Sequence, residues 1–157
     1  MHVIVGNGIA GLTAAQVIRK FRPGTDVTLV SEEKHPAYSP CVFPNYISGE
    51  IGRERIFLNR HEDYLKMGIH PIFGKKVLEI RTDKKKVVLE DGNPLQYDKL
   101  VIAIGSEPII PRIDGAEKKG VFTLKTLGDI DEFLAYPKKK IAIVGAGFIG
   151  VETAMAL

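Results

Sequence analysis

Cysteine is almost missing from this sequence, and Cys41 is its single example among 157 residues. One thiol cannot form a disulfide within the chain, so the fold cannot depend on such a cross-link. Long apolar runs are missing as well, since none approaches the roughly 18 residues that a membrane-spanning helix requires. A secretory leader is not apparent either, because an apolar strand pattern begins at His2. We therefore predict a cytoplasmic protein that does not enter a membrane.

The sequence also lacks a strong excess of charge of either sign and lacks metal-ligand patterns. The 22 basic residues barely outnumber the 19 acidic ones, which gives a net charge of +3. The lysine runs at 84–86 and 138–140 lack interleaved aromatic residues, so we interpret them as solvated surface. His35, His61 and His70 have no metal-ligand spacing, and no serine–histidine–aspartate arrangement stands out. These absences predict no metal site and no nucleic-acid or membrane partner.

Glycine, in contrast, recurs in a duplicated pattern. An apolar strand pattern followed by G-x-G-x-x-G and a small-residue helix start occurs near each end of the chain. The first glycine of such a motif permits a tight turn, the second lets a pyrophosphate approach the backbone, and the third lets helix and strand pack closely. The helix start directs free N–H groups at the phosphates. The pattern therefore predicts two dinucleotide sites, at Gly6, Gly8, Gly11, Gly145, Gly147 and Gly150.

The residues around the first copy predict a parallel β-α-β unit. Residues 2–6 and 27–30 are apolar enough to be buried parallel strands, and 9–21 has the periodicity of a helix. Glu32 and Glu33 follow the second strand, about 20 residues beyond the third glycine, where this fold places an acid that hydrogen-bonds a ribose hydroxyl. At least one of these acids is expected to be an ordinary exposed residue, and we favour Glu32 for the ribose.

Farther along, the pattern predicts more strands and two helices. Residues 53–67 favour a helix that ends at Gly68, and 129–134 a short helix capped from Thr126. Residues 121–124 are expected to form a strand. The other predicted strands are 69–73, an antiparallel meander at 77–81, 86–90 and 95–97, and a buried parallel strand at 100–105.

The segment 35–49 is rich in proline and aromatic residues and carries the single cysteine. It predicts a loop leading into a short helix, with Pro44 in the first turn. A helix start favours the thiolate form of a neighbouring cysteine. From the residues alone, Cys41 is either an inert buried side chain, as many free cysteines are, or a redox centre.

With these features in view, the chain resembles the FAD-dependent pyridine nucleotide-disulphide oxidoreductases. Residues 97–111 are similar to the family's second FAD motif, although Ile104 stands where the family usually has threonine. Residues 120–127 with Asp129 resemble the segment before the NAD fingerprint. Cys41-Val-Phe-Pro-Asn-Tyr-Ile-Ser-Gly is similar to the Cys-Gly/Ala-Leu-Pro-Tyr pattern of NADH oxidases, NADH peroxidases and coenzyme A-disulfide reductases. This similarity favours a redox Cys41.

The resemblance implies FAD at the first glycine motif and NAD(P)H at the second, with Cys41 as the catalytic residue. A lone cysteine would cycle between thiolate and sulfenic acid, or between thiolate and a mixed disulfide. Val77 would touch the adenine, and Phe148 and Glu152 would lie near the nicotinamide. The implied FAD contacts are Gly6, Gly8, Ile9, Ala10, Gly11, Glu32, Glu33, Pro40, Val77, Ala103, Ile104 and Gly105. The implied NAD(P)H contacts are Gly145, Gly147, Phe148, Ile149, Gly150 and Glu152.

The expected fold class is α/β. A Rossmann-like FAD-binding domain with a parallel sheet and an antiparallel β-meander would be followed by the first strand and helix turn of a second, NAD-binding Rossmann domain. We expect an FAD-binding domain over 1–110 that lacks its last strand, a crossing segment over 111–139 and the start of an NAD(P)-binding domain over 140–157. Family chains are more than twice as long, so we expect an N-terminal fragment of a homodimeric enzyme that is inactive alone.

The second glycine motif is expected to lack partners for its apolar residues, since an isolated strand and helix cannot bury their own faces. NADH binding is therefore expected to be weak, and FAD retention weaker than in a complete enzyme. Unless they dock on the FAD-binding domain or on another chain, the side chains expected to be exposed are those of Ile141, Ile143, Val144, Phe148, Ile149 and Met155.

Three functions remain open at this point. The first is an FAD-dependent oxidoreductase that passes electrons from NAD(P)H to a disulfide, O2, peroxide or sulfur through Cys41. The second is an NADH-dependent reductase of a small redox protein, rubredoxin or ferredoxin. Family members that reduce these proteins keep the same loop but lack the cysteine. The third is a non-catalytic FAD-binding module that a partner chain completes.

Overall fold

A computed structural model describes all residues from Met1 to Leu157. The chain forms two compact units, and each combines two stretches of sequence. Unit 1 contains Met1–Tyr38 and Phe57–Gly105, and unit 2 contains Ser39–Ile56 and Ser106–Leu157. None of the helices has both the length and the apolar character needed to cross a bilayer.

Unit 1 contains a four-stranded parallel sheet in the order β3-β2-β1-β7. Its β1 and β2 are joined by helix α1, which confirms the β-α-β unit predicted around the first glycine motif. Strand β1 ends one residue earlier than predicted because Gly6 turns the chain with a φ of 108°. The elements are β1 (His2–Val5), α1 (Ile9–Phe21), β2 (Val27–Ser31), β3 (Ile69–Phe73) and β7 (Lys99–Ile102).

The two faces of this sheet bury different apolar cores. One face packs against α1 and the short helix α3 (His61–Lys66), and the other packs against a three-stranded antiparallel sheet, β4-β5-β6. That sheet is the predicted meander. Its strands are β4 (Val77–Arg81), β5 (Lys86–Leu89) and β6 (Pro94–Gln96). The fully buried sheet residues are Val3 and Val30 toward the meander, and Ile4, Val27, Leu29 and Ile69 toward the helices.

The single helix predicted over 53–67 is wrong. A 3-10 turn occupies Arg53–Ile56, and α3 covers only His61–Lys66. Between them, Phe57 pairs with Tyr38 in an isolated antiparallel bridge, and the N–H of Leu58 donates to the carbonyl of Ala37 at 2.8 Å. These backbone groups therefore cannot join a helical ladder. The predicted end at Gly68 is confirmed, with a φ of 69° there.

Helix α3 begins with a hydrogen bond that should make its stability depend on pH. The Asp63 carboxylate accepts the backbone N–H of Arg60 at 2.8 Å, and this bond is the main cause that lowers the pKa of Asp63. A lowered folded-state pKa means that stabilisation is present above the unfolded pKa and is lost as pH falls through the folded value. We expect Asp63→Asn to lower the urea unfolding midpoint at pH 7, and the difference from wild type to shrink toward pH 3.

A suitable control is Glu62→Gln, which removes the same charge from the same exposed turn without removing that bond. Unfolding curves for both variants at pH 7, 5 and 3 separate the hydrogen bond from net charge. An Asp63→Asn effect that does not change with pH would show that the carboxylate does not carry the stabilisation.

Unit 2 is built mainly from short helices. A 3-10 turn at Pro40–Val42 leads into α2 (Phe43–Ile47), as predicted for this segment, and α2 packs against α4 (Leu127–Ala135) and α5 (Phe148–Ala156). The cap predicted for α4 is confirmed: Thr126 Oγ1 accepts the Asp129 N–H at 3.1 Å, and the Asp129 carboxylate accepts the Thr126 N–H at 2.8 Å.

Two segments of unit 2 that were predicted as strands, 121–124 and 141–144, form no ladder. A strand is stabilised by pairing with a neighbour, and neither segment has one. The helix after the second glycine motif is longer than the single turn expected and spans nine residues, Phe148–Ala156. The expected exposure is confirmed, with relative accessibilities between 40% and 91% for Ile141, Ile143, Val144, Phe148, Ile149 and Met155.

Candidate functional site

The turn between β1 and α1 contains three glycines with different surroundings. A Cβ on Gly6 would lie 2.1 Å from the carbonyl oxygen of Ala103, and one on Gly11 would lie 1.9 Å from that of Gly6. A Cβ on Gly8 would meet no heavy atom within 4 Å. The first and third glycines are therefore required by backbone packing, whereas the second borders open space that a ligand could enter.

Helix α1 begins at this open position without a side-chain cap. Gly8 is the N-cap, and its carbonyl accepts the N–H of Leu12 at 3.0 Å. The N–H groups of Ile9, Ala10 and Gly11 thus lack partners within the helix and carry the positive end of its dipole. This geometry suits a phosphate group.

The ends of three parallel strands meet beside the turn. The N–H of Gly6 donates to the carbonyl of Val30 at 2.8 Å, and the N–H of Ala103 donates to that of Val5 at 2.7 Å. Residues 103–105, which were predicted to lie along FAD, therefore follow β7 on one side of the turn, and Ile104 is 68% exposed. Ligands of open α/β sheets bind in such a crevice at the carboxyl ends of the strands.

The two acids that follow β2 have different partners. The Tyr38 hydroxyl donates to Glu33 Oε2 at 2.8 Å. The Lys76 ammonium donates to Glu32 Oε1 at 3.2 Å, and the Glu32 side chain remains 66% accessible. Lys76 directly precedes Val77, the residue predicted to contact adenine, so Glu32 lies near that strand start. Glu32 is therefore the more exposed of the two acids.

A buried hydrogen-bonded connection at the turn was not predicted from the sequence. The fully buried Tyr64 hydroxyl donates to Asn7 Oδ1 at 2.9 Å and accepts the N–H of Ala37 at 2.8 Å. Asn7 Nδ2 donates to the carbonyl of His35 at 3.2 Å. Burial raises the pKa of Tyr64, which keeps its hydroxyl protonated. No local pattern points to this contact, because 57 positions separate Tyr64 from Asn7.

The second glycine motif repeats the backbone geometry of the first but not its surroundings. Gly145 has a φ of 112° and Gly147 is the uncapped N-cap of α5, matching Gly6 and Gly8. A Cβ on Gly150 would lie 2.3 Å from the carbonyl oxygen of Gly145. A Cβ on Gly145, however, would meet nothing within 4 Å, because no strand adjoins this turn. The predicted neighbours Phe148, Ile149 and Glu152 are exposed.

Cys41 is exposed on the turn that precedes α2 in unit 2, with Pro40 beside it. The segments after it are held by Asp131 of α4. The Tyr46 hydroxyl donates to Asp131 Oδ1 at 2.8 Å, and Arg53 Nε donates to Asp131 Oδ2 at 2.9 Å. Burial and the Asp131 carboxylate raise the pKa of Tyr46. The thiol is thus open to a reactant, unlike that of an inert core cysteine.

Comparison with known proteins identifies the family. The model for pyridine nucleotide-disulphide oxidoreductases matches residues 1–157. The chain belongs to this family. An NADH oxidase of Methanocaldococcus jannaschii is 39% identical over 165 residues, which cover 99% of this chain and 37% of that protein.

Solved structures of related oxidoreductases share the fold. The water-forming NADH oxidase from Lactobacillus brevis, bound to NADH, has a TM-score of 0.90 at 30% identity and covers 99% of this chain and 36% of its own. NADH:rubredoxin oxidoreductase from Clostridium acetobutylicum has a TM-score of 0.87 at 26% identity, and the match covers 99% of this chain and 40% of that protein. The α/β fold class predicted for the chain is confirmed. The chain spans 36% to 40% of the length of these relatives.

Proposed function

We propose that the intact protein is an FAD-dependent oxidoreductase that takes electrons from NAD(P)H and reduces a disulfide, O2, peroxide or sulfur through Cys41. The observation that carries the proposal is the open Gly8 position at the uncapped start of α1, at the carboxyl ends of the parallel strands. Bound FAD would supply a flavin that accepts a hydride from NAD(P)H and passes on two electrons.

The residues of unit 1 suit the adenosine and pyrophosphate parts of FAD. The Gly8 turn and the N–H groups of α1 would hold the pyrophosphate. Glu32 would accept hydrogen bonds from the adenosine ribose, Val77 would contact the adenine, and residues 103–105 would lie along the cofactor. On this assignment, residues 1–110 supply the FAD site and 140–157 contribute to an NAD(P)H site.

The proposed role of Cys41 is nucleophilic. Its thiolate would attack one sulfur of a disulfide and break the S–S bond, forming a mixed disulfide and releasing one thiolate, which takes up a proton from solvent. Two electrons and a proton would then release the second thiol and restore the thiolate. With peroxide, the thiolate would attack one oxygen and the O–O bond would break, giving a sulfenic acid and a hydroxide that takes up a proton to become water. Two electrons from the flavin and a proton would then return the sulfenic acid to thiolate and release a second water. Exposure of the thiol supports either reaction.

A reductase of a small redox protein is the second candidate. The structural similarity to an NADH:rubredoxin oxidoreductase favours it. In that case electrons would pass to the partner protein directly, and Cys41 would have no redox role. A panel of acceptors assayed with the FAD-loaded intact protein tests both candidates, because only the first requires a small disulfide or oxygen-derived acceptor.

The FAD site itself is tested by calorimetric titration of the chain. We expect FAD to bind at a ratio of one, and at least about tenfold more tightly than NADH, because only the first glycine turn lies against a neighbouring strand. FMN, which lacks the adenosine and pyrophosphate, serves as the control and is expected to bind more weakly than FAD. Failure to bind FAD would contradict the proposed function, and NADH binding with a micromolar constant would contradict the weak second site.

A further inference from the structure

We propose that Tyr64 is a positioning residue that holds the phosphate-binding turn in its binding shape through Asn7. The inference rests on the proposed FAD site at the first glycine motif. Asn7 is the residue between Gly6 and Gly8, and it is only 8% exposed. Its side chain therefore points into the protein, where it can fix the turn from the side opposite to the ligand.

The hydroxyl of Tyr64 is placed by packing that does not involve the turn. The Tyr64 ring is fully buried, and it meets the Phe73 ring of β3 edge to face, with centroids 5.3 Å apart. Helix α3 and strand β3 thus fix where the hydroxyl lies. The hydroxyl makes one hydrogen bond as a donor, to Asn7, and one as an acceptor, from the N–H of Ala37.

Asn7 transmits this constraint to the turn. Its carbonyl accepts from Tyr64 at 2.9 Å and its amide donates to the carbonyl of His35 at 3.2 Å. The flanking Gly6 and Gly8 have no Cβ, and glycine has the largest backbone freedom of any residue. Without the Asn7 anchor the turn would spend part of its time in shapes that cannot bind a pyrophosphate. The apparent affinity of a ligand falls in proportion to the competent fraction.

The same hydroxyl also connects the two parts of the proposed site for the adenosine diphosphate portion of FAD, namely the ribose part and the pyrophosphate part. Ala37 and His35 lie just after Glu32, the proposed ribose acid, while Asn7 belongs to the pyrophosphate turn. A single buried group therefore sets both parts relative to α3. We expect Tyr64→Phe, which keeps the ring but removes both hydrogen bonds of the hydroxyl, to raise the FAD dissociation constant about tenfold.

The test measures FAD dissociation constants by flavin fluorescence, at a temperature where circular dichroism shows every variant to be folded. The variants are Tyr64→Phe, Asn7→Ala, the double variant and Ile69→Val. Ile69 is fully buried in the same core, so Ile69→Val lowers the unfolding midpoint without touching the turn. A positioning role predicts weaker binding in the first two, no further weakening in the double variant and an unchanged constant in Ile69→Val.

Other outcomes identify which step fails. A Tyr64→Phe constant within twofold of wild type, or an equal rise in Ile69→Val, would overturn the role of Tyr64 while leaving the FAD site intact. Absence of FAD binding by the unaltered chain would overturn the site and this inference together. Should Tyr64→Phe not fold, Asn7→Ala decides alone, since it removes the same hydrogen bond from the turn side: wild-type affinity in that variant overturns the proposal.

Discussion

Replacing Gly8 by alanine is expected to weaken FAD binding by about a hundredfold, which corresponds to about 2.7 kcal/mol, while leaving the fold nearly as stable as wild type. The added methyl group would meet no protein atom within 4 Å, and a φ of −72° suits alanine. Losing a glycine N-cap costs up to about 1 kcal/mol, which the lower entropy of the unfolded alanine chain partly offsets. The methyl group would instead occupy the space proposed for the pyrophosphate.

Two matched glycine variants frame this prediction. Gly24→Ala also adds a methyl group in open space, but away from the turn, so FAD affinity should be unchanged. Its stability should equal or slightly exceed that of wild type, because alanine lowers the entropy of the unfolded chain by the same mechanism. Gly11→Ala would place a methyl carbon 1.9 Å from the Gly6 carbonyl oxygen and should reduce stability by about 3 kcal/mol. FAD titration and thermal unfolding of all three variants check the pattern. Wild-type FAD affinity in Gly8→Ala would place the pyrophosphate elsewhere.

The shape of the glycine turn could be predicted because each glycine is required by the backbone conformation or packing at its own position. The position of Gly6 has a positive φ and a backbone neighbour too close for a Cβ, and the position of Gly11 has the helix and the turn in direct contact. Such demands leave a fixed spacing in the sequence. The Tyr64–Asn7 and Lys76–Glu32 contacts leave none, since they join positions 57 and 44 residues apart. Side chains that meet only after folding have no periodic signature.

The errors in secondary structure have the same origin. The apolar spacing over 53–67 suits a helix, yet the Leu58 N–H donates to Ala37, a residue that no local window includes. Apolar segments at 121–124 and 141–144 suit strands, yet a strand also needs a neighbour, and the apolar pattern does not specify one. The β1-α1-β2 unit was predictable because the helical crossover and the glycine turn fix its arrangement locally. The buried strand predicted over 100–105 is only partly confirmed, since β7 ends at Ile102 and is not fully buried.

Replacing Cys41 by serine in the FAD-loaded intact protein is expected to reduce turnover with a disulfide or peroxide acceptor on the order of a thousandfold. Serine has nearly the same size, so the exposed turn at Pro40–Val42 should keep its shape. Its hydroxyl is a far weaker nucleophile than a thiolate, and it cannot form a mixed disulfide or a sulfenic acid. NAD(P)H should still bleach the flavin absorbance at the wild-type rate, because that step precedes the cysteine chemistry.

The control for this substitution is Ser39→Ala, which changes a neighbouring side chain that makes no capping hydrogen bond and should leave turnover unchanged. Steady-state assays with a small disulfide, with peroxide and with an oxidised rubredoxin or ferredoxin then distinguish the two candidate functions. Loss of disulfide and peroxide turnover in Cys41→Ser assigns the cysteine to the reaction. The alternative result is that Cys41→Ser reduces a redox protein as fast as wild type, while wild type shows negligible turnover of the disulfide. That result would assign the chain to a reductase of redox proteins in which the exposed thiol takes no part in the reaction.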